Sequence, residues 1–415
     1  MRSIKTNISF EIKHKPSQAK PIKPGVKGET EMDIKLTIEK LRPRIIDIFD
    51  QLHAHPETSW NEVSTTAFIS NILMENQCKV KSFEDCTGVI GEIGDGDFTV
   101  GLRSDIDALW QEVHGTFQAN HSCGHDGHMT LALGVFLVLK EMDFRPRGKL
   151  KFIFQPAEEK GTGALKMIEE KVLDDVDFLY GVHLRPVEEV KDGQAAPAIV
   201  HGAAQFIKGE IAGTDAHGAR PHQGQNAIEI GAAFVTLLNG IHLNPSIPYS
   251  VKMTQFFAGG ESSNIIPGRA TFSLDLRAQD NAVMEELTKK VEKVAESLAI
   301  VHGVEMKLEP GTKVAAAIVN EQAQEIMAEA IADTLGEENL VAPVITTGGE
   351  DFHFYTLKRP MLKATMLGLG CDLTPGLHHP NMTFNKDALL SGIEILTKAI
   401  IFTFEKYGEG GHLHD

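Results

Sequence analysis

The chain has 415 residues and a formal net charge of −17, with 57 acidic and 40 basic residues. This length predicts roughly two or three domains, and the acidic excess disfavours nucleic-acid or anionic-membrane partners. No apolar run approaches the roughly 18 residues that span a bilayer. The four cysteines follow no secretory signal, so we expect a cytoplasmic protein whose partners are small molecules or protein.

Residues 1–31 hold seven Lys or Arg and three prolines without a continuous apolar run. This composition predicts a flexible basic arm. Apolar residues then recur three and four positions apart between Ile38 and Leu52, which predicts a helix that starts or kinks at Pro43.

The next part of the chain alternates apolar strands with helical stretches. One strand ends near Asp105, a second at Glu158 and Glu159, and a third at His183. Alternation of this kind predicts an α/β fold with a mostly parallel central sheet. Because ligands of such sheets bind at the carboxyl ends of the strands, we expect these polar side chains to share one crevice.

Between residues 205 and 312 the pattern changes to the order β-α-β-β-α-β, which is typical of a ferredoxin-like unit. Along RATFSLDLRA, Ala270, Phe272, Leu274 and Leu276 fall on one side of the predicted strand and polar residues on the other. The α/β pattern resumes after residue 312. The sequence therefore predicts a discontinuous catalytic, metal-binding domain (32–204 and 313–415) with an inserted domain (205–312).

The segment HSCGHDGH, residues 121–128, is a candidate metal site. In an extended conformation Cys123 and His125 would project to the same side. Taken alone, the segment is equally compatible with a polar loop. With the downstream Glu158, Glu159, His183 and the pair His378 and His379, it forms a set of thiolate, imidazole and carboxylate ligands that suits zinc or a neighbouring first-row ion.

Five such ligands exceed the needs of one tetrahedral structural ion, so we expect a pair of ions. Two adjacent glutamates at a strand end cannot easily point the same way, which suggests that one ligates and the other acts as an acid and base. A solvated surface run is the alternative for Glu158 and Glu159. His379 is an alternative to His378, and His121 and His128 are expected beside the ligands or in solvent.

Seven motifs occur in the order seen in the aminoacylase-like amidohydrolases of the di-metal aminoacylase/carboxypeptidase family. They are HSCGHDGH, QPAEE, GVHL, TDAHGARPHQGQNAI, SSNIIPGRA, GGEDF and GLHHP. The family resemblance covers roughly residues 45–405 and includes the hippurate hydrolase, indole-acetyl-amino-acid hydrolase and N-acetyl-diaminopimelate deacetylase groups. Where many relatives carry Pro, this chain has Trp110.

The resemblance implies a role for individual residues. Two metal ions would be held by Cys123, His125, Glu159, His183 and His378. Glu158 would be the general base, and Asp105 would orient a ligand histidine. His217, in the inserted domain, would stabilise an oxyanion, and Asn264 and Arg277 would meet the amide and carboxylate of the substrate. The inserted domain would act as a lid and form a homodimer.

The predicted function is metal-dependent hydrolysis of N-acyl amino acids or related small amides. Zinc is the ion that a thiolate ligand favours, with manganese or cobalt as alternatives. Three rival interpretations remain at this point: a dipeptidase or carboxypeptidase with the same chemistry, a non-catalytic metal-dependent binding protein, and a structural module with a single zinc ion.

Overall fold

The computed structural model describes residues 27–408, with side chains from Ile34 onward. Most of the predicted flexible arm, 1–31, lies outside the described residues. The first helix spans Lys27–Ala54 and contains Pro43 in its interior, so Pro43 does not mark its start.

The elements fall into three consecutive groups. The first comprises α1 (Lys27–Ala54), α2 (Val63–Glu75), β1 (Lys79–Ser82), β2 (Val89–Gly94), β3 (Thr99–Asp105), β4 (Leu109–Val113), β5 (Thr116–Asn120), α3 (His125–Glu141), β6 (Lys149–Gln155), α4 (Gly163–Glu169), β7 (Phe178–Pro186), β8 (Ala195–Ala196) and β9 (Ile199–His201). The second comprises β10 (Ala203–Ala212), β11 (Ala216–His217), α5 (Ala227–Asn239), β12 (Tyr249–Ala258), β13 (Ile265–Ile266), β14 (Arg269–Ala278), α6 (Asn281–His302) and β15 (Glu305–Val314). The third comprises α7 (Glu321–Leu335), β16 (Val344–Thr346), α8 (His353–Lys358), β17 (Lys363–Leu373) and α9 (Ala388–Tyr407).

The large central sheet has the strand order β1-β2-β6-β3-β7-β17-β8. Its central strands β6, β3, β7 and β17 are parallel, whereas the pairings of β1 with β2, β2 with β6 and β17 with β8 are antiparallel. The sheet is therefore mixed, and the prediction of a mostly parallel sheet holds only for its centre.

The central strands are apolar because helices cover both faces of the sheet. Every residue of β3 is buried. Helices α1, α3, α7 and α9 pack in one apolar cluster, and α4 and α8 contribute to a cluster of other residues that includes Ile153 and Leu179 of the sheet. Because both faces are covered, the polar groups at the carboxyl ends of these strands lie together in one crevice at the edge of the sheet.

The second sheet is antiparallel, with the order β12-β14-β10-β15. Helices α5 and α6 share its apolar cluster. The alternation predicted for β14 is confirmed, since Ala270, Phe272, Leu274 and Leu276 are buried and the residues between them are more exposed. Among residues 27–408, none of the helices combines the length and apolarity that a bilayer span requires.

One glycine fixes how the chain leaves the crevice after β6. A Cβ atom on Gly163 would lie 1.7 Å from the carbonyl oxygen of Pro156. The N–H of Gly163 donates to the Ala157 carbonyl oxygen at 3.2 Å. The turn 156–163, which contains Glu158 and Glu159, is closed by this contact.

We expect Gly163→Ala to lower the free energy of unfolding by roughly 2 kcal/mol or more, because the added methyl group overlaps backbone atoms. Gly260→Ala is the matched control, since a Cβ atom added at Gly260 would meet nothing within 4 Å. Urea titrations of both variants measure the difference. Equal stabilities would contradict the close packing of the turn.

Candidate functional site

A tight turn, not an extended segment, brings Cys123 and His125 together. His125 is the first residue of α3, and Gly124 precedes it with a φ of 85°, a left-handed conformation that favours glycine. The predicted extended conformation is therefore wrong, although the two side chains do converge with His183 within 4.8 Å.

The Cys123 thiol lies between two histidines from distant segments. Its Sγ is 3.6 Å from Nε2 of His183 on β7 and 3.3 Å from Nε2 of His378. The His378 N–H donates to the Ser122 carbonyl oxygen at 2.7 Å, so the GLHHP loop is anchored on the HSCGHDGH turn. His379 is not in this cluster; its Nδ1 accepts from the Asn381 N–H.

Glu158 and Glu159 both reach the cluster, contrary to the expectation that they would point apart. A carboxylate oxygen of each lies 3.9 Å from Nε2 of His125. Their other neighbours differ: Glu158 accepts from the Asp351 N–H at 3.3 Å, and Glu159 Oε1 lies 3.6 Å from Nε2 of His378. The environments, not the directions, distinguish the two carboxyl groups.

Asp107 is the residue that sequence reasoning missed. Its Oδ2 accepts from the Ser59 hydroxyl at 2.6 Å and from the Glu159 N–H at 3.0 Å, and its Oδ1 accepts from the Glu158 N–H at 3.2 Å. His125 Nδ1 lies 3.3 Å from the same Oδ1 and 2.8 Å from the Asp107 carbonyl oxygen. The motif RSDID contained the signal, since Asp105 and Asp107 share one side of the chain.

Asp105 instead contacts His128. Its Oδ1 lies 2.7 Å from His128 Nδ1, and the Leu184 N–H donates to His128 Nε2 at 3.0 Å. Both ring nitrogens of His128 are thus hydrogen-bonded, so this histidine lies beside the cluster and has no nitrogen free to bind a metal ion. Asp105 is 3.9 Å from His125 Nδ1, too far for a hydrogen bond.

A buried arginine lies behind the acidic groups. The guanidinium of Arg103 donates to Asp105 at 2.6 Å, to Glu350 at 3.0 Å and to Asp351 at 2.8 Å. A buried charge is tolerated only when it is paired and hydrogen-bonded. Arg103 therefore balances part of the negative charge that surrounds the site.

Burial shapes the ionisation of the site. It raises the pKa of Glu158 well above the usual range, with further increases from Glu350, Glu159 and Asp351. Burial also raises the pKa of Glu159 to about 7, although His125 opposes the shift, and it raises the pKa of the Cys123 thiol. A nearby cation would reverse these shifts by favouring the ionised groups.

The donor atoms fit divalent metal ions. His125 Nε2 and Glu159 Oε1 are buried and lack a hydrogen-bond partner among the described residues, which is costly unless another group satisfies them. Two sets of donors within 4.8 Å share Cys123, one with His125 and His183 and the other with Glu159 and His378. Overlapping sets with a thiolate, imidazoles and a carboxylate suit a pair of first-row ions.

A cavity of about 540 Å³ opens beside these donors. One wall carries Cys123, Glu158, Glu159, His183 and His378, and the other includes Phe206 of β10 and Arg277 of β14. The Arg277 guanidinium lies 5.3 Å from the Phe206 ring centre and donates to both oxygens of Asp275. The structure thus brings Arg277 to the cavity.

His217 and Asn264 do not line this cavity. Both are exposed, and they lie together because β11 pairs with β13 and the Gly218 N–H donates to the Asn264 carbonyl oxygen at 2.7 Å. His121 is buried, contrary to a solvent-facing position, and both of its ring nitrogens lack a partner among the described residues.

Buried thiol, imidazole and carboxylate groups lie beside a cavity at the carboxyl ends of parallel strands and define a candidate metal centre, with a donor set that suits a pair of divalent ions. Residues 101–401 match the family described as Peptidase family M20/M25/M40, and the chain belongs to this family. The predicted resemblance to aminoacylase-like amidohydrolases is confirmed, and the chain is an amidohydrolase.

Individual relatives cover most of the chain. N-acetyl-L-cysteine deacetylase of Bacillus subtilis is 30% identical over 89% of this chain and 89% of its own length. Hippurate hydrolase of Campylobacter jejuni is 29% identical over 87% of this chain and 94% of its own. The solved structure of a dinuclear metal binding peptidase of the M20 family from Bacillus subtilis is 26% identical, with a TM-score of 0.74, covering 88% of this chain and 99% of that one.

The Asp107 contacts predict a specific defect. In Asp107→Asn an amide NH₂ would face N–H and hydroxyl donors from which the carboxylate now accepts, so the turn 158–159 would lose its anchor. His125 would keep its bond to the carbonyl oxygen of residue 107 but lose the nearby carboxylate charge. We expect roughly 10–100-fold weaker zinc binding, as for other residues that orient metal ligands. Competition with a chromophoric chelator measures it.

Asp97→Asn is the control, because Asp97 is exposed and precedes β3 at the end opposite the site. Unchanged zinc affinity in Asp107→Asn would show that Asp107 does not organise the ligands.

Proposed function

We propose that this chain hydrolyses the amide bond of N-acyl amino acids or closely related small amides. The observation that carries the proposal is the position of Glu158, a buried carboxyl group 3.9 Å from His125 and at the edge of the cavity. The names of the relatives, a deacetylase and a hippurate hydrolase, support an acylated amino acid as the substrate.

We infer that Cys123, His125, Glu159, His183 and His378 would hold two ions, with zinc favoured by the thiolate ligand. Bound divalent ions would supply Lewis acidity and lower the pKa of a water molecule. Asp107 accounts for the orientation of His125 and of the turn that carries Glu159, so the ligands need little rearrangement.

Glu158 acts as the general base and then as the acid. It removes a proton from the attacking water and later delivers that proton to the leaving nitrogen, as amide hydrolysis requires. Burial and neighbouring carboxyl groups raise the pKa of Glu158, whereas bound cations would oppose this rise and favour the ionised form that accepts the proton from water.

The β-α-β-β-α-β segment, 205–312, is proposed as a ferredoxin-like lid and dimerisation domain inserted into a discontinuous catalytic domain, 32–204 and 313–415. Arg277 would meet the substrate carboxylate in exchange for Asp275, and Asn264 would contact the amide. Because His217 and Asn264 lie away from the cavity of their own chain, we propose that a homodimer brings them to the site of the partner, where His217 stabilises the oxyanion. We place the enzyme in the cytoplasm.

Glu158→Gln should abolish turnover while metal content stays intact, since glutamine keeps the shape of the side chain but cannot transfer the proton. A loss of at least 100-fold in kcat is expected. Amine release and metal analysis on the same sample measure it; Glu188→Gln, an exposed carboxyl group, is the control. A normal kcat would remove Glu158 from the mechanism.

His217→Ala should lower kcat by roughly 100-fold through loss of an oxyanion donor, whereas the exposed neighbour His222 should tolerate alanine. If His217 acts across a dimer, inactive Glu158→Gln and His217→Ala chains mixed and allowed to exchange should recover about a quarter of the wild-type activity, because half of the dimers gain one complete site. Full kcat in His217→Ala, or a stable monomer in sedimentation, would refute this arrangement.

A further inference from the structure

A buried arginine borders the cavity beyond the metal-ligand cluster. Arg185 follows His183 by two positions on β7, so both side chains leave the same face of the strand, about 7 Å apart along it. Arg185 is 3% exposed and lines the cavity. The reaction proposed above makes no use of this cation.

The guanidinium of Arg185 is only partly engaged. Its Nε donates to Oε2 of Glu189 at 2.8 Å, and Nη2 contacts the same oxygen. Within residues 34–408, no hydrogen-bond partner is found for Nη1. Glu189 also lines the cavity, and 31% of its side chain is exposed. A guanidinium can donate five N–H bonds, so Arg185 keeps capacity for a second acceptor.

Arg277 differs in this respect. Its Nε and Nη2 bind both oxygens of Asp275, and its Nη1 lies 3.4 Å from the Thr347 carbonyl oxygen. All three nitrogens of Arg277 therefore have an acceptor, whereas Arg185 is paired at one side only.

A neutral histidine pair stands beside Arg185. His201 lines the cavity, and its Nδ1 lies 3.0 Å from Nε2 of the buried His353. Burial lowers the pKa of His201, with further decreases from His353 and Arg185. The pair therefore offers hydrogen bonding without charge, whereas Arg185 and Arg277 supply the guanidinium groups that line the cavity.

We propose that Arg185, with His201 beside it, forms a subsite for a second carboxylate of the substrate. In the absence of that carboxylate, the guanidinium is paired with Glu189. This inference rests on the proposed function, in which Arg277 meets the first carboxylate. The substrate class is an N-acyl amino acid with an additional carboxylate, carried either by the acyl group or by the amino-acid side chain. A planar carboxylate matches the fork of a guanidinium.

Two pairs of compounds test the subsite, each differing only in a carboxylate and its amide. N-succinyl-L-alanine against N-succinamoyl-L-alanine places the charge on the acyl side, and N-acetyl-L-glutamate against N-acetyl-L-glutamine places it on the amine side. Zinc-loaded protein gives kcat/KM for each, and calorimetry with the Glu158→Gln chain gives the dissociation constants without requiring turnover.

In one of the two arms we expect a preference for the carboxylate of roughly tenfold or more, the usual size of a charge-assisted hydrogen bond. Arg185→Met should abolish the preference. Glu189→Gln should increase it severalfold, because the competing carboxylate is gone, and Glu188→Gln should leave it unchanged. Zinc content and thermal midpoint of each variant show whether the fold is intact.

A charge preference in neither arm, or one that Arg185→Met and Glu189→Gln both leave unchanged, would overturn the subsite. If no compound is hydrolysed but the carboxylate member of a pair binds more tightly in an Arg185-dependent way, the proposed reaction fails and the subsite stands. Because Glu189→Gln changes only a partly exposed carboxyl group, it decides the question even if Arg185→Met does not fold.

Discussion

One buried carboxylate, Asp107, connects the segments that form the site. Although burial opposes ionisation, its bonds to His125, Ser59 and the Glu159 N–H keep the pKa of Asp107 below the usual value. The ionised group can therefore accept from two backbone N–H groups of the turn that carries Glu158 and Glu159 while it lies against His125. The end of β3, the start of α3 and the loop after β6 are held in one geometry by this residue.

Charge balance explains how so many acidic groups share one buried crevice. Arg103 is fully buried and pairs with Asp105, Glu350 and Asp351, and the last two of these also lie close to Glu158. Removal of one member of such a network leaves uncompensated buried charge. Metal ions would supply the corresponding positive charge on the other side, where His125 Nε2 and Glu159 Oε1 have no hydrogen-bond partner within residues 34–408. The side chains of the site therefore leave part of its negative charge unbalanced, and bound cations would balance it.

The sequence predicted the elements with strong patterns and failed where patterns were weak. The helix through Ile38 and Leu52 and the alternation of β14 were evident. The edge strand β1, with the sequence KVKS and mostly exposed side chains, carries no apolar signal, so the mixed character of the sheet was missed. Asp105 and Asp107 lie on the same side of the chain, and only the fold separates their roles. Contacts such as that of His201 with His353, 152 positions apart, cannot be read from local periodicity.

The most direct measurement is amine release during a zinc titration of chelator-stripped protein, with N-acetyl, N-benzoyl and indole-acetyl amino acids compared with free dipeptides. We expect hydrolysis of one acyl class to saturate when two ions are bound per chain, and we expect dipeptides with a free α-amino group to react more slowly. Faster cleavage of dipeptides would indicate a peptidase. Firm binding of two ions without cleavage of any compound would contradict the proposed hydrolysis, and saturation at one ion per chain would contradict the shared di-metal site.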